Sequence, residues 1–228
     1  MHKFEMPADY VRRVVARQGR AHTCESFDGP KTALVVVDMQ NFFMAPGQLA
    51  AAPMADDIMP NVNRLAAAVR AAGGLVVWIR NQVLPDTVEN WATFHERFVP
   101  EESQGRLKEM APGSFGHTLR PGLDVQPQDL VIAKRRYSAF IAGSSGLELE
   151  LRDRGIDTLI VTGVATNVCC ESTARDAMML NFRTLMVSDG CATVTDQEHA
   201  DALTSFYLQF GDVQKTDEIV ARLQAPAR

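Results

Sequence analysis

Five short runs of apolar, largely β-branched residues punctuate this chain and decide what it can fold into. They are Ala33–Val37 (ALVVV), Leu75–Ile79 (LVVWI), Asp129–Ala133 (DLVIA), Thr158–Thr162 (TLIVT) and Thr184–Ser188 (TLMVS). A strand with one solvated face alternates polar and apolar residues. An unbroken run of about five reads instead as a strand covered on both faces of a parallel sheet. Segments with apolar residues at helical spacing separate the runs: Met59 to Ala72, stopped by Gly73-Gly74, then Gly146 to Arg154, stopped by Gly155, then Val168 to Asn181 and His199 to Phe210. Strand and helix in turn predict right-handed βαβ units and an α/β fold around a mainly parallel sheet.

Residues 1–30 are polar and form an N-terminal extension, with a short helical stretch at Asp9–Val15 and Gly29-Pro30 as its end. It packs on the domain or on a partner subunit. Residues 31–228 read as a single domain, since 228 residues suit one compact core. Within it, residues 81–128 break the rhythm, with Pro85, Pro100, Pro112, Pro121, Pro127, Trp91 and several phenylalanines. So long an irregular stretch inside an α/β domain reads as a lid-like insertion. The net charge of −5 gives no sequence-wide attraction to phosphate backbones or anionic lipid. Nucleic-acid and membrane partners are therefore not expected, and no apolar run approaches the ~20 residues that cross a bilayer. The first residues, MHKFEMPADYVRRVV, lack the apolar stretch of a secretory leader. Four cysteines, two of them adjacent, are no disulfide framework for this length. The expectation is a reduced, cytoplasmic enzyme.

In an open parallel sheet, ligands bind beyond the carboxyl ends of the strands. The residues following the five runs are Asp38-Met39-Gln40-Asn41, Arg80-Asn81-Gln82, Lys134-Arg135-Arg136-Tyr137, Gly163 to Cys170, and Asp189-Gly190-Cys191. An Asp, a Lys and a Cys thus converge on one rim. Cys169 begins a predicted helix, where exposed N–H groups and a neighbouring ammonium favour a thiolate. With a carboxylate to take the thiol proton, this is the minimum for acyl transfer through a thioester. The alternatives stay open residue by residue. Cys169 is otherwise an inert buried thiol, Asp38 a cap, and Lys134 a side chain reaching for solvent. Cys170, about 100° further round the helix, points to the sheet as a small core residue. The chain contains no GxGxxG, GxxxxGK[ST], HExxH or CxxC, and no Cys/His set at zinc spacing.

Taken together, ALVVVDMQNFF, VIAKRRYSAF and VTGVATNVCCESTARDA, in that order, closely resemble the isochorismatase-like cysteine hydrolase superfamily over about residues 31–215. The resemblance implies a three-layer α/β/α sandwich and a catalytic triad of Asp38, Lys134 and Cys169. It also implies a cis peptide at Val164-Ala165, which aims the backbone N–H groups of Ala165 and Cys169 at one point as an oxyanion hole. Isochorismatases proper lack the cysteine. Nicotinamidases carry an Asp/His/His metal set near the second strand, where IRNQVLPDTVENW has no histidine. No metal and no other cofactor is therefore expected.

RYSAF, ATNVCCESTARD and VVWIRNQ look most like the branch that cleaves ureido or carbamoyl amides, of the ureidoacrylate, biuret or triuret type. N-carbamoylsarcosine or nicotinamide type amides are the alternative. The resemblance implies a homo-oligomer, dimer or tetramer. Polar groups expected to bind such a substrate are Asn41, Asn81, Tyr137 and Thr166, with Gln40 in reserve. From the insertion, Gln104, Asn90 and His95 are expected over the ligand. Phe43, Trp91 and Phe140 are expected as apolar walls, and Arg80 or Arg136 as binders of a substrate carboxylate. Two rivals remain: a thiol redox protein built on Cys169-Cys170, whose adjacent sulfurs can close only a strained ring, and a non-catalytic scaffold.

Overall fold

A computed structural model of the chain describes residues 1–225. Six parallel strands form one open sheet in the order β3-β2-β1-β4-β5-β6. They are β1 (Thr32–Val37), β2 (Leu75–Asn81), β3 (Leu130–Lys134), β4 (Thr158–Val164), β5 (Arg183–Ala192) and β6 (Asp212–Gln214). The helices are α1 (Ala8–Gln18), α2 (Asn41–Met44), α3 (Met59–Ala71), α4 (Thr87–Asn90), α5 (Ala92–His95), α6 (Pro100–Glu109), α7 (Leu147–Asp153), α8 (Glu171–Met179), α9 (Asp196–Gln209) and α10 (Thr216–Gln224). Among the described residues, no helix is long and apolar enough to cross a membrane.

Burial on both sheet faces explains the unbroken apolar runs. Side chains alternate across a strand, so Ala33, Val35 and Val37 enter one core and Leu34 and Val36 the other. The first core holds Leu147, Leu151, Ala174, Ala177 and Phe206; the second holds Val62, Leu65 and Val69 of α3 and Ile219 of α10. The chain starts at β1, winds outward through β2 and β3, returns to β4 beside β1, and winds the other way. The reversal between β1 and β4 is where such sheets open a crevice. At that seam Gly163 has φ +116°, and a Cβ there would lie 2.1 Å from the Val37 carbonyl oxygen. Only glycine lets the two strands approach so closely.

Three features depart from the sequence expectation. β6 and α10 extend the fold beyond Phe210; the strand is the polar tripeptide Asp212-Val213-Gln214 and carries no apolar run. Asp212 is buried there because His22, the Cys24 N–H and Gln214 all bond to its carboxylate. The helix expected from Val168 begins instead as a π-helical turn, Thr166–Cys170, and becomes α-helical at Glu171. Residues 81–128 are not wholly irregular: α4, α5 and α6 lie within them. The N-terminal extension packs on this chain, with Val14 in the first core and the His2 ring accepting the Thr193 N–H at 2.9 Å.

Candidate active site

The ends of β1, β3 and β4 bring Asp38, Lys134 and Cys169 together. Lys134 Nζ lies 2.7 Å from Asp38 Oδ2 and 3.5 Å from Cys169 Sγ. It also donates to the Arg136 carbonyl at 2.9 Å. Asp38 and Lys134 are wholly buried and Cys169 nearly so. Asp38 sits just past β1 at φ +52°, a left-handed conformation that Asp tolerates better than most residues. Its N–H donates to Ile79 and its carbonyl accepts from Gln40, which turns the side chain under the sheet end. The Nζ contact approaches the carboxylate off the hydrogen-bonding direction, leaving both oxygens without an aligned donor among the described residues.

Burial governs the protonation of this trio. It pushes the Cys169 thiol up to about 12, against the opposing pull of Lys134. The expected thiolate is therefore not the resting form: the desolvation cost of a buried sulfur anion exceeds what one ammonium returns. Burial also raises Asp38, with Lys134 pulling the other way. Lys134 is raised despite its burial, because Asp38 and Cys169 face it. The thiol and the carboxyl flank the same ammonium, at 3.5 and 2.7 Å from Lys134 Nζ. Passing one proton from sulfur to carboxylate keeps a single negative charge beside the ammonium, so the transfer needs no change in net charge.

The nucleophile turn is held from behind. The Val164-Ala165 peptide is cis. The Ala165 carbonyl accepts from the N–H groups of Val168 and Cys170 at 3.2 and 3.1 Å, closing the turn. Thr166 meets His199 Nδ1 at 2.9 Å, and His199 Nε2 lies 3.0 Å from the Ser188 carbonyl. A carbonyl can only accept, so Nε2 carries the proton and Nδ1 accepts from the threonine hydroxyl. Burial lowers His199 to about 4, which keeps the ring neutral in that tautomer. Cys170 Sγ points back to the Thr162 carbonyl within the core. All four cysteines are free, and of the adjacent pair only Cys169 lines the cavity.

Above the sulfur lies a cavity of about 390 Å³. Ala165, Asn167, Val168 and Cys169 line it, with Asn81 and Gln82 from β2 and its exit, Thr193 and Val194 from the β5–α9 connection, and Glu198 from the first turn of α9. The insertion and the β3 exit add Trp91, Phe94, Phe98, Arg106, Met110, Arg135 and Tyr137 to the wall. Phe43, Leu49, Ala50, Ala51, Val83 and Thr87 complete it.

Of the residues expected to bind substrate, Asn81, Tyr137 and Phe43 line this cavity, and so does Trp91. Asn41 does not; its amide donates to the Phe115 carbonyl and the Thr118 hydroxyl and pins that loop. Thr166 is consumed by His199. Gln104 is exposed on α6, while Arg106, two residues on and about 200° round the helix, faces inward. Gln40 grips the Asn81 backbone and the His117 carbonyl. Asn90 bonds to Asp86, His95 to Ser103, and Phe140 packs on Phe182. Arg80 and Arg136 are not on the cavity wall, and Arg136 lies over the Trp91 ring. Sequence reasoning missed Arg106, Asn167, Thr193 and Glu198. The Thr195-to-Glu198 capping box was the available pointer to the last two.

No group of three or more His, Cys, Asp or Glu side chains among the described residues is placed to hold a metal ion.

Comparison with known proteins adds to this geometry. A family model described as Isochorismatase domain matches residues 32–218. The structure of a cysteine hydrolase from Pseudomonas syringae pv. phaseolicola 1448A is similar at TM-score 0.79 and 29% identity, covering 87% of this chain and 94% of that one. N-carbamoylsarcosine amidase from Thermoplasma acidophilum aligns at TM-score 0.66 and 29% identity, over 82% and 97% of the two chains. Pyrazinamidase of Pyrococcus horikoshii, solved with zinc, aligns at TM-score 0.70 and 26% identity, over 82% and 99%.

Proposed function

The chain belongs to the isochorismatase family of hydrolases, and from that premise we propose that it is a cysteine-dependent amidohydrolase cleaving a C–N bond of a small ureide or carbamoyl amide. The observation that carries this reading is the buried Lys134 ammonium, 2.7 Å from Asp38 and 3.5 Å from Cys169, under a cavity onto which only the sulfur opens. An inert cysteine would not need a buried ion pair beside it, since burying two charges for stability alone is a poor exchange.

Asp38 accepts the Cys169 proton as the sulfur attacks the carbamoyl carbon. A C–S bond forms, and the carbonyl oxygen becomes an oxyanion held by the backbone N–H groups of Ala165 and Cys169. One such donor is commonly worth ~3 kcal/mol of barrier. The C–N bond then breaks, and the proton stored on Asp38 goes to the leaving nitrogen. Water next gives its proton to Asp38 and its hydroxyl to the acyl carbon. The C–S bond breaks, and the proton returns to sulfur. Lys134 stays charged throughout and faces whichever partner is anionic. The raised Asp38 suits a group that must both take and return a proton. Similarity to N-carbamoylsarcosine amidase supports a carbamoyl head.

The test is an ammonia- and amine-release screen of the purified protein over ureidoacrylate, biuret, triuret, N-carbamoyl amino acids, substituted ureas and nicotinamide, with Cys169→Ser beside it. Turnover of a ureide or carbamoyl compound that the variant loses supports the reading. Equal turnover by the variant overturns the covalent route.

A further inference from the structure

The aromatic part of the cavity wall is a poor match for an all-polar ureide. Trp91 and Phe94 stack with centroids 4.3 Å apart, and Tyr137 meets Trp91 edge-on at 5.0 Å. Phe98 continues the set, edge-on to Phe94 at 5.0 Å. These rings are half-buried, and each also lines the cavity. Rings that served only to anchor the insertion would be covered. The wall is also fixed. Arg135 pairs with Asp86, Arg136 donates to the Asn90 carbonyl at 2.9 Å, and its guanidinium lies 5.1 Å from the Trp91 centroid. The two residues after Lys134 thus hold α4 and the aromatic set in register with the catalytic floor. A compact ureide such as biuret would be met by the polar groups near the sulfur and would leave the aromatic part of the cavity unfilled, so the rings would contribute nothing to its binding. A volume of about 390 Å³ falls in the range of ligand pockets that enclose larger molecules.

Polar partners lie elsewhere, near the sulfur. The Asn81 backbone is taken up by Gln40 on both sides, at 2.7 and 3.0 Å, which leaves its side-chain amide to the cavity. Asn167 and Thr193 bond to each other at 2.6 Å on the same side. The cavity therefore has hydrogen-bonding groups by the nucleophile and a pre-formed aromatic set beyond them, bordered by Arg135 and by Arg106, whose guanidinium lies 4.1 Å from the Phe98 centroid.

Resting on the amidohydrolase reading, we infer that the substrate is a mono-substituted urea or N-carbamoyl compound whose other half is an aromatic or comparably broad apolar group seated in the Trp91–Phe94–Phe98–Tyr137 cage. The carbamoyl head lies at Cys169, and the apolar group excludes water from the site when bound.

The experiment compares N-benzylurea with N-methylurea and biuret on the full-length enzyme. The head is constant between the first two, and neither carries a charge. Benzylurea is expected to have kcat/KM at least about 30-fold above methylurea, the effect of burying one phenyl ring. Trp91→Ala is expected to cut that ratio about fivefold or more, while Trp91→Phe keeps most of it. Binding is followed separately through quenching of Trp91 fluorescence by benzylurea, a signal that Trp91→Phe removes. Equal rates for the two ureas, or preference for biuret, overturn the cage and leave the amidase reading standing. Saturable quenching without turnover of any compound supports the cage and overturns the amidase reading. Neither quenching nor turnover overturns both.

Discussion

Replacing Lys134 by methionine removes a charge while nearly keeping the side chain's volume, so it isolates what the ammonium does for Cys169. Nζ stands 3.5 Å from Sγ, and the residue is wholly buried. At an effective dielectric of about 20, a unit charge at that distance attracts a sulfur anion by about 5 kcal/mol, or more than three powers of ten in thiolate population. Water entering the vacated site returns part of this, so a loss of at least about a hundredfold is the expected net effect. The fold should survive, because burial already raises Asp38 and its carboxyl can take a proton once the cation is gone. The assay is iodoacetamide alkylation of Cys169 between pH 7 and 9, located by peptide mass, with near-ultraviolet circular dichroism confirming the native core. Cys24 and Cys170 are internal controls, since both are buried and neither lines the cavity. A Lys134→Met protein that is natively folded and alkylates Cys169 as fast as the wild type would refute the electrostatic reasoning.

Other perturbations follow from the same structure. Asp38→Asn leaves a buried ammonium without its counter-ion. It should cost about 3–5 kcal/mol in urea-induced unfolding and lower turnover by about 10²–10⁴-fold through loss of the proton carrier. His199 is held near 4 against an ordinary 6.5, so its neutral form is the one the fold prefers. That contribution is complete above pH 6.5 and is lost as pH falls toward 4, to a total of about 3 kcal/mol. His199→Gln should flatten the difference in Tm between pH 7 and 4.5 relative to the wild type; an unchanged slope would contradict the assignment. Gly163→Ala drives a methyl group into the Val37 carbonyl at the β1–β4 seam. It should destabilise by at least about 3 kcal/mol, read as Tm or as loss of soluble protein.

How much of this was legible beforehand depended on where each residue's partners lie. The parallel sheet was readable because burial on both faces writes itself into consecutive residues such as Leu34-Val35-Val36. β6 was not, because Asp212 and Gln214 are buried through bonds to His22 and Cys24, 190 residues earlier in the chain. Asp38, Lys134 and Cys169 meet because strand ends converge by topology, a rule that needs no distances. The cavity wall obeys no such rule. Asn41 carries the same amide as Asn81, and Thr166 a hydroxyl equally able to bind substrate, yet loop 115–118 and His199 claim their hydrogen bonds. Gln104 and Arg106 are both polar, and the face of α6 that each occupies decides which one reaches the cavity. The resting protonation of Cys169 was misjudged for a related reason: the helix-start argument counts favourable charges, and the sequence does not reveal the depth of burial that outweighs them.

The central claim is that Cys169 carries the acyl group during turnover. Acid-quenching the enzyme while it consumes a carbamoyl substrate, then weighing the intact protein and its Cys169 peptide, tests this without assuming which substrate is best. A carbamoyl or acyl adduct is expected on that one peptide, absent when Cys169→Ser replaces the wild type. Sustained turnover with an unmodified Cys169 peptide at every quench time would contradict it.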